Sequence, residues 1–328
     1  MTAVHRFARL ILFASLTLGC SGSESAAPDD ASDDASDDAT DWGDDDDDDD
    51  ASYLDGGEAD DSSIFPVDDS GVVADAGKPG DAGTDAGCAR KTFRLRHLQA
   101  SMNHFDAPAD LNGSIDAAFA LDAHSISWTE IETDTQVKRI AGHAGYTTFW
   151  PSGKAEAVAQ NAVPISWRTD TFKLVRGQSW LASVGLAHVS PSRWVTRVWL
   201  THLSSGKTIS RVAHHSVSGV DGAGKDPVAW RRARHAEDIA KFKEVMLLDT
   251  VPVIGSADFN TTRLPSLLGT TYRYDVPTSG GSHGSRLIDW IVRRPHPDHV
   301  FVDVQFVSLG ASDHRGLRAT YDYTPPCP

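Results

Sequence analysis

One α/β domain is predicted for residues 88–328, and three features of the sequence predict it. Short apolar runs alternate with turn signals along the whole segment. A single long stretch, 228–247, carries helical rather than alternating spacing, and neither a repeat period nor a second apolar core is present. The residues before it are of a different kind. Residues 29–85 are almost entirely Asp, Ala, Gly and Ser, with the unbroken acidic run 44–50, and hold too little apolar surface to offset the entropy of ordering. Of the 46 acidic and 30 basic residues, 24 acidic but only three basic ones fall in residues 1–87, so the formal net charge of −16 conceals a remainder that is basic by five. That sign suits an anionic substrate.

At the N-terminus, Arg6 and Arg9 precede the mainly apolar stretch 10–18, too short to span a bilayer but suited to the core of a signal peptide. It ends Leu16-Thr17-Leu18-Gly19-Cys20-Ser21, which resembles the lipobox of bacterial lipoproteins apart from Thr17, where Leu is usual. The resemblance implies a signal peptide over 1–20, acylation of Cys20, and export to a lipid-anchored place on the bacterial membrane or cell surface. A plain secretory signal is the alternative. Residues 21–87 then form a disordered, self-repelling tether with a mean reach on the order of 45 Å. With Cys20 taken by lipid, Cys88 and Cys327 remain at the two ends of the domain in an oxidising setting, and one disulfide between them is expected.

Within the domain, strands are predicted at 92–102, 124–131, 162–168, 195–203, 208–214, 251–257, 287–293, 300–307 and 317–323. A short helix is predicted at 114–120. The long helix repeats Trp230, Ala233, Ala236, Ile239, Ala240, Phe242 and Met246 at mostly helical spacing, while Arg231, Arg232, Arg234 and Lys241 fall largely elsewhere.

Polar groups at the ends of these apolar strands are the candidates for chemistry. The run 251–257 leads into Asp258 and Asn260, two positions apart and so, in extended chain, pointing the same way. Glu130 shares a predicted strand face with Ile126 and Trp128, and Asp289 shares one with Leu287 and Ile291. A carboxylate in an apolar row requires a partner or a cation. Neither His-Glu-x-x-His nor paired-Cys spacing occurs, which argues against a zinc hydrolase.

Taken in chain order, Thr129-Glu130-Ile131, Ala257-Asp258-Phe259-Asn260, Ile288-Asp289-Trp290-Ile291 and Ser312-Asp313-His314 resemble the endonuclease/exonuclease/phosphatase superfamily, with its deoxyribonuclease I-like fold. The resemblance covers nearly all of 88–328. It implies two packed mixed sheets flanked by helices, a four-layer α/β sandwich. It further implies a metal-dependent phosphoester hydrolase, foremost a phosphodiesterase or nuclease, acting as a monomer on a phosphoester such as nucleic acid. Glu130 would be the principal ligand of Mg²⁺, or of Mn²⁺ or Ca²⁺, assisted by Asn103 and Asp313. His314, held by Asp289, would be the general base, with Asp258 and Asn260 beside it. The second catalytic histidine is expected at His215, on the strand that feeds the long helix, ahead of His214 and then His202. Asn161 matches a family segment near substrate only weakly.

Two positions depart from the pattern. Ala257 replaces a Gly, and Glu132 stands where deoxyribonuclease-like members carry an Arg against DNA phosphate. Two alternatives stay open: a sphingomyelinase-like lipid phosphodiesterase, for which Tyr146, Phe149 and Trp150 are the expected membrane-facing aromatics, and a catalytically silent binding lipoprotein.

Overall fold

The computed structural model describes residues 90–103, 106–131, 133–150, 163–221 and 227–326. Residues 1–87, including Cys20, and also Cys88, Cys327, Glu132 and Asn161 lie outside the described residues.

The first half of the chain order is β1 (Phe93–Ser101), α1 (Pro108–Ala120), β2 (Ser125–Thr129), α2 (Asp134–Ala141), β3 (Tyr146–Phe149), β4 (Ile165–Arg168) and β5 (Phe172–Ser183). It continues with β6 (Arg193–His202), β7 (Thr208–His215), α3 (Val228–Met246), β8 (Val253–Asp258), α4 (Leu264–Leu268), β9 (Arg273–Tyr274), β10 (Asp289–Arg293), β11 (His299–Val307) and β12 (Gly316–Tyr323). They form two six-stranded mixed sheets, ordered β11-β12-β1-β2-β4-β3 and β5-β6-β7-β8-β10-β9. The two sheets share one pattern of directions: every neighbouring pair is antiparallel except the central pairs β1/β2 and β7/β8, which are parallel.

A parallel pair needs a long crossover, and here α1 and α3 supply it. Leu111, Ile115 and Phe119 of α1, with Val137 and Ile140 of α2, pack on Leu98, Ala100, Ile126 and Trp128, the outer face of the first sheet. Ile239, Phe242, Val245 and Met246 of α3 pack on Val212, Val253, Ala257 and Val292, the outer face of the second. Gly255 permits that approach, because a Cβ there would lie 2.5 Å from the Phe242 ring.

The inner faces meet in two apolar clusters. One joins Leu95, Ile165 and Trp167 to Phe172, Val198, Leu200 and Ile209, and the other joins Leu317, Ala319 and Tyr321 to Ile254 and Ile291. Polar residues of the same inner faces also cross the seam. His97 of β1 bonds Ser125 Oγ on its own sheet at 3.0 Å and Ser256 Oγ on the other at 2.9 Å. The fully buried Arg211 reaches across from β7 to Ser125 Oγ, and burial lowers its pKa to about 10. The expected four-layer α/β sandwich is therefore the observed architecture.

Candidate functional site

Topology brings the polar strand ends together. Both central parallel pairs deliver their C-terminal ends to one edge of the seam, the usual place for a site in sheets of this kind. Asp289 opens β10 directly opposite Asp258, the last residue of β8, and Ser312 donates to Ser101 O at the end of β1.

Period-2 alternation decides which side chains enter the seam. On β7, Ile209 and Ala213 belong to the inter-sheet core and Val212 to the α3 side, so His215 falls on the inner face and His214 on the outer. His214 sits against the Phe242 and Phe259 rings, bonded to Trp194 O and Ser216 Oγ, and burial drives its pKa to about 3. His202 lies at the opposite end of β6, among Phe93, Phe172 and Tyr323, with Nδ1 on Ser205 Oγ. Of the three candidates, His215 alone stands with the carboxylates: its Nε2 is 3.6 Å from Asp258 Oδ2 and 4.0 Å from Glu130 Oε1. Arg193 Nη1 donates to His215 Nδ1 at 3.0 Å, which places the neutral ring's proton on Nε2, facing those carboxylates.

Glu130 arrives by a route the sequence reading did not foresee. Its extended-strand position would put it with Ile126 and Trp128 under α1 and α2, but β2 ends at Thr129 and Glu130 adopts φ +61°, turning its side chain toward the seam. Asn260 does the same at φ +53°. Its N–H donates to Asp258 Oδ1 at 2.8 Å and its Nδ2 to Ser216 O at 3.1 Å. Two of the four non-glycine residues with positive φ among the described residues are thus site candidates, the kind of backbone strain that concentrates at functional sites.

Asp289 and His314 form the buried core of the site. His314 donates Nδ1–H to Asp289 Oδ2 at 2.7 Å, while Asp289 Oδ1 accepts from Ser101, whose hydroxyl in turn accepts from Thr129 at 2.6 Å. Burial opposes ionisation of Asp289, but the His314 charge and these hydrogen bonds hold its pKa below the ordinary value. Burial likewise opposes protonation of His314, yet Asp289, Asp258 and Glu130 together push it up to about 10. Burial, and then the charge of Asp289, raises Asp258 to about 8. The negative field of these clustered carboxylates, which holds the proton on His314, also attracts a cation.

The candidate metal ligands divide between two groups. Glu130, Asp258 and His314 each bring a ligand atom within 4.8 Å of the others, and His283, Asp313 and His314 form a second such group. Asp313 pairs with His283 at 3.2 Å rather than joining Glu130. Asn103 follows β1 beside the end of β2 and donates Nδ2 to Asp106 at 2.9 Å, so its amide oxygen is the atom suited to a cation. The sequence reading missed His283, Arg193, Ser101 and Thr129. The row His97, Gln99, Ser101, continuing the strand face of Phe93 and Leu95, was the available signal for Ser101.

At the periphery, the expected membrane-facing aromatics are placed otherwise, and the arginines of the long helix separate. Tyr146 bonds Ala123 O and packs on Phe119, while Phe149 and Trp150 are half-buried against the cores, so these aromatics do not form an exposed membrane-facing loop. Arg231 is buried on Ser218 O and Val189 O, and Arg234 pairs with Glu237, leaving Arg232 to line a cleft of about 400 Å³ with Lys243, Arg263 and Thr261.

No protein family matches the chain by sequence, and no curated protein does either. Solved structures match its fold. An endonuclease/exonuclease/phosphatase family protein from Bacteroides thetaiotaomicron superposes with a TM-score of 0.55 at 13% identity, over 72% of this chain and 97% of that one. A mannosyl-6-phosphatase from the same organism gives 0.54 at 14% identity, over 69% and 99%. TDP2 from D. rerio, complexed with single-strand DNA product, gives 0.56 at 12% identity, over 70% and 98%. The chain shares the fold of this superfamily.

Proposed function

We propose that the chain is a metal-dependent phosphoester hydrolase, with a phosphodiester such as nucleic acid as the leading substrate class. One observation carries the reading: Glu130, His215, Asp258, Asn260 and the Asp289–His314 pair converge from both sheets on one buried edge of the seam. A catalytically silent copy of the fold would have no need to keep a strained Glu130 and Asn260 beside a buried Asp–His pair. The carboxylate-rich donor set of Glu130 and Asp258, with the Asn103 amide at the neighbouring strand end, fits a hard divalent cation such as Mg²⁺. Such a cation supplies neutralisation of phosphoryl oxygen charge.

The remaining work falls to side chains. Asp289 holds His314 Nδ1, so that Nε2 is the nitrogen that faces the attacking water. The carboxylates keep that ring protonated, and a cation held by Glu130 and Asp258 would offset their field and leave Nε2 able to act as the base. His215, with its proton on Nε2, and the Asn260 amide donate to phosphoryl oxygens as charge builds there. Arg232 and Lys243, in the cleft that also reaches Thr261, give a polyanionic substrate a place to continue beyond the site. Acylation of Cys20 would hold the enzyme at a membrane surface, with 21–87 as tether to a domain spanning 88–328 and closed by Cys88 and Cys327.

The test is an assay of the full chain against DNA, RNA, sphingomyelin and simple phosphate esters, with and without chelator. Turnover on at least one phosphodiester is expected, lost in chelator and in Glu130→Gln while the circular dichroism spectrum is unchanged. Full activity in excess chelator refutes the metal assignment.

A further inference from the structure

We propose that His283, Asp313 and His314 form a second cation site, which takes a borderline transition-metal ion such as Zn²⁺ and silences the enzyme by occupying Nε2 of His314. His283 Nε2 lies 3.2 Å from Asp313 Oδ2, and the His283 and His314 rings are 4.8 Å apart between centroids, inclined at 47°. The three residues bring one ligand atom each within 4.8 Å of one another.

The backbone holds this arrangement in place. His283 and His314 are joined by an antiparallel bridge. His283 N bonds Arg286 O at 3.1 Å, Arg286 N bonds His283 O at 3.0 Å, and Arg315 N bonds Ser282 O at 2.7 Å. The turn is close-packed at Gly281, where a Cβ would sit 2.5 Å from the Ser285 backbone, and left-handed at Gly284, φ +56°. Ser282 Oγ accepts from Asp289 N at 2.9 Å, which fastens the loop to the strand that orients His314.

Donor chemistry separates this site from the Glu130 group. Two imidazole nitrogens and one carboxylate oxygen, with room left for water, suit Zn²⁺, whereas Mg²⁺ selects oxygen. His314 already donates Nδ1–H to Asp289, so the metal binds at Nε2 in place of the proton there, and the carboxylate strengthens that nitrogen as a donor, the arrangement found behind many metal-bound histidines. The side chains of His283 and Asp313 are 39% and 46% exposed, so an ion reaches them from solvent. Once bound there, it removes from service the nitrogen that takes the proton from water. The site stands on its own geometry, while its inhibitory consequence rests on the function proposed above.

The experiment titrates the full chain with Co²⁺, whose nitrogen-bound low-coordinate complexes absorb visible light far more strongly than its six-coordinate oxygen complexes. One strongly absorbing Co²⁺ per chain, displaced by Zn²⁺, is expected. Affinity should fall at least tenfold in His283→Ala and in the size-conserving His283→Gln, and persist in Glu130→Gln. Absence of the absorbing species, or a smaller loss in both His283 variants, overturns the site. In a second arm, the Zn²⁺ concentration that halves hydrolysis under excess Mg²⁺, taken relative to each protein's own rate without Zn²⁺, should rise at least tenfold in His283→Ala. Equal sensitivity to Zn²⁺ overturns the inhibitory role. A chain that hydrolyses no phosphoester would sink the functional reading and leave the Co²⁺ arm to decide the site.

Discussion

Asp289 is the residue on which the geometry of the candidate site depends most directly, since it is buried, its two oxygens accept from His314 and Ser101, and its pKa is held low. Replacing it by Asn removes the charge that orients and polarises the imidazole while keeping the volume. Turnover of Asp289→Asn should fall by roughly 10²- to 10⁴-fold with the fold retained. Steady-state kinetics within threefold of wild type would show that His314 needs no such partner. The pairing was legible in sequence because a carboxylate one strand step from Ile291 has to find a partner, and the nearest motif-borne one was His314. The argument was sound for Ile291, which lies on the inner face, but not for Leu287, which packs on the α3 side before β10 begins. Glu130 and Asn260 show where pattern reading ends: their left-handed backbone leaves no periodic trace in the sequence, and strand alternation sends Glu130 to the wrong face.

At the scale of elements, the strands with an apolar row were legible and those without one were not. β5 escaped prediction because it is an edge strand with only its two end residues buried, so its alternation is weak. α2 is only eight residues long, and its Thr133–Gln136 capping box was its one sequence mark. The pair His214-His215 shows how a strand turns adjacent identical residues to different ends, one in the apolar outer core and one at the site. That difference has a measurable pH signature. Burial holds the folded pKa of His214 at about 3, against an ordinary value of 6.5, so below pH 6.5 the unfolded chain takes up a proton that the folded chain refuses. Its contribution to stability is complete above pH 6.5 and is lost progressively as pH falls toward 3. His97, His124 and His299 are lowered too, chiefly by burial, and add to the same acid loss. His214→Gln should therefore flatten the fall of urea-unfolding stability between about pH 6 and pH 4, by ~1.4 kcal/mol per pH unit, the worth of one proton. Parallel slopes for variant and wild type would show that His214 is protonated in the folded state.

At the scale of the whole molecule, the candidate site belongs to neither sheet. Glu130 follows β2 of one, β7 and β8 supply His215 and Asp258 from the other, and His314 precedes β12 of the first while bonding Asp289 of the second. The seam that brings them together is held partly by polar bridges such as His97 between Ser125 and Ser256, which is why composition alone gives an α/β domain without locating where its two halves meet. Without a cation, the crowded carboxylates work against closure of this seam, and burial with mutual repulsion raises the Asp258 pKa to about 8. A divalent ion bound between Glu130 and Asp258, as proposed, would reverse that effect and tie one sheet to the other. Mg²⁺ at a hundredfold excess over its dissociation constant should add ~2.7 kcal/mol. For a domain of this size that is a rise in Tm of roughly 5–10 °C over the chelated protein. The Glu130→Gln variant should lack most of the rise, and in chelator it should melt above the wild type, because one of the mutually repelling carboxylates is gone. An equal Mg²⁺ shift in wild type and variant, followed by calorimetry, would place the stabilising cation elsewhere on the chain and remove Glu130 from the metal site.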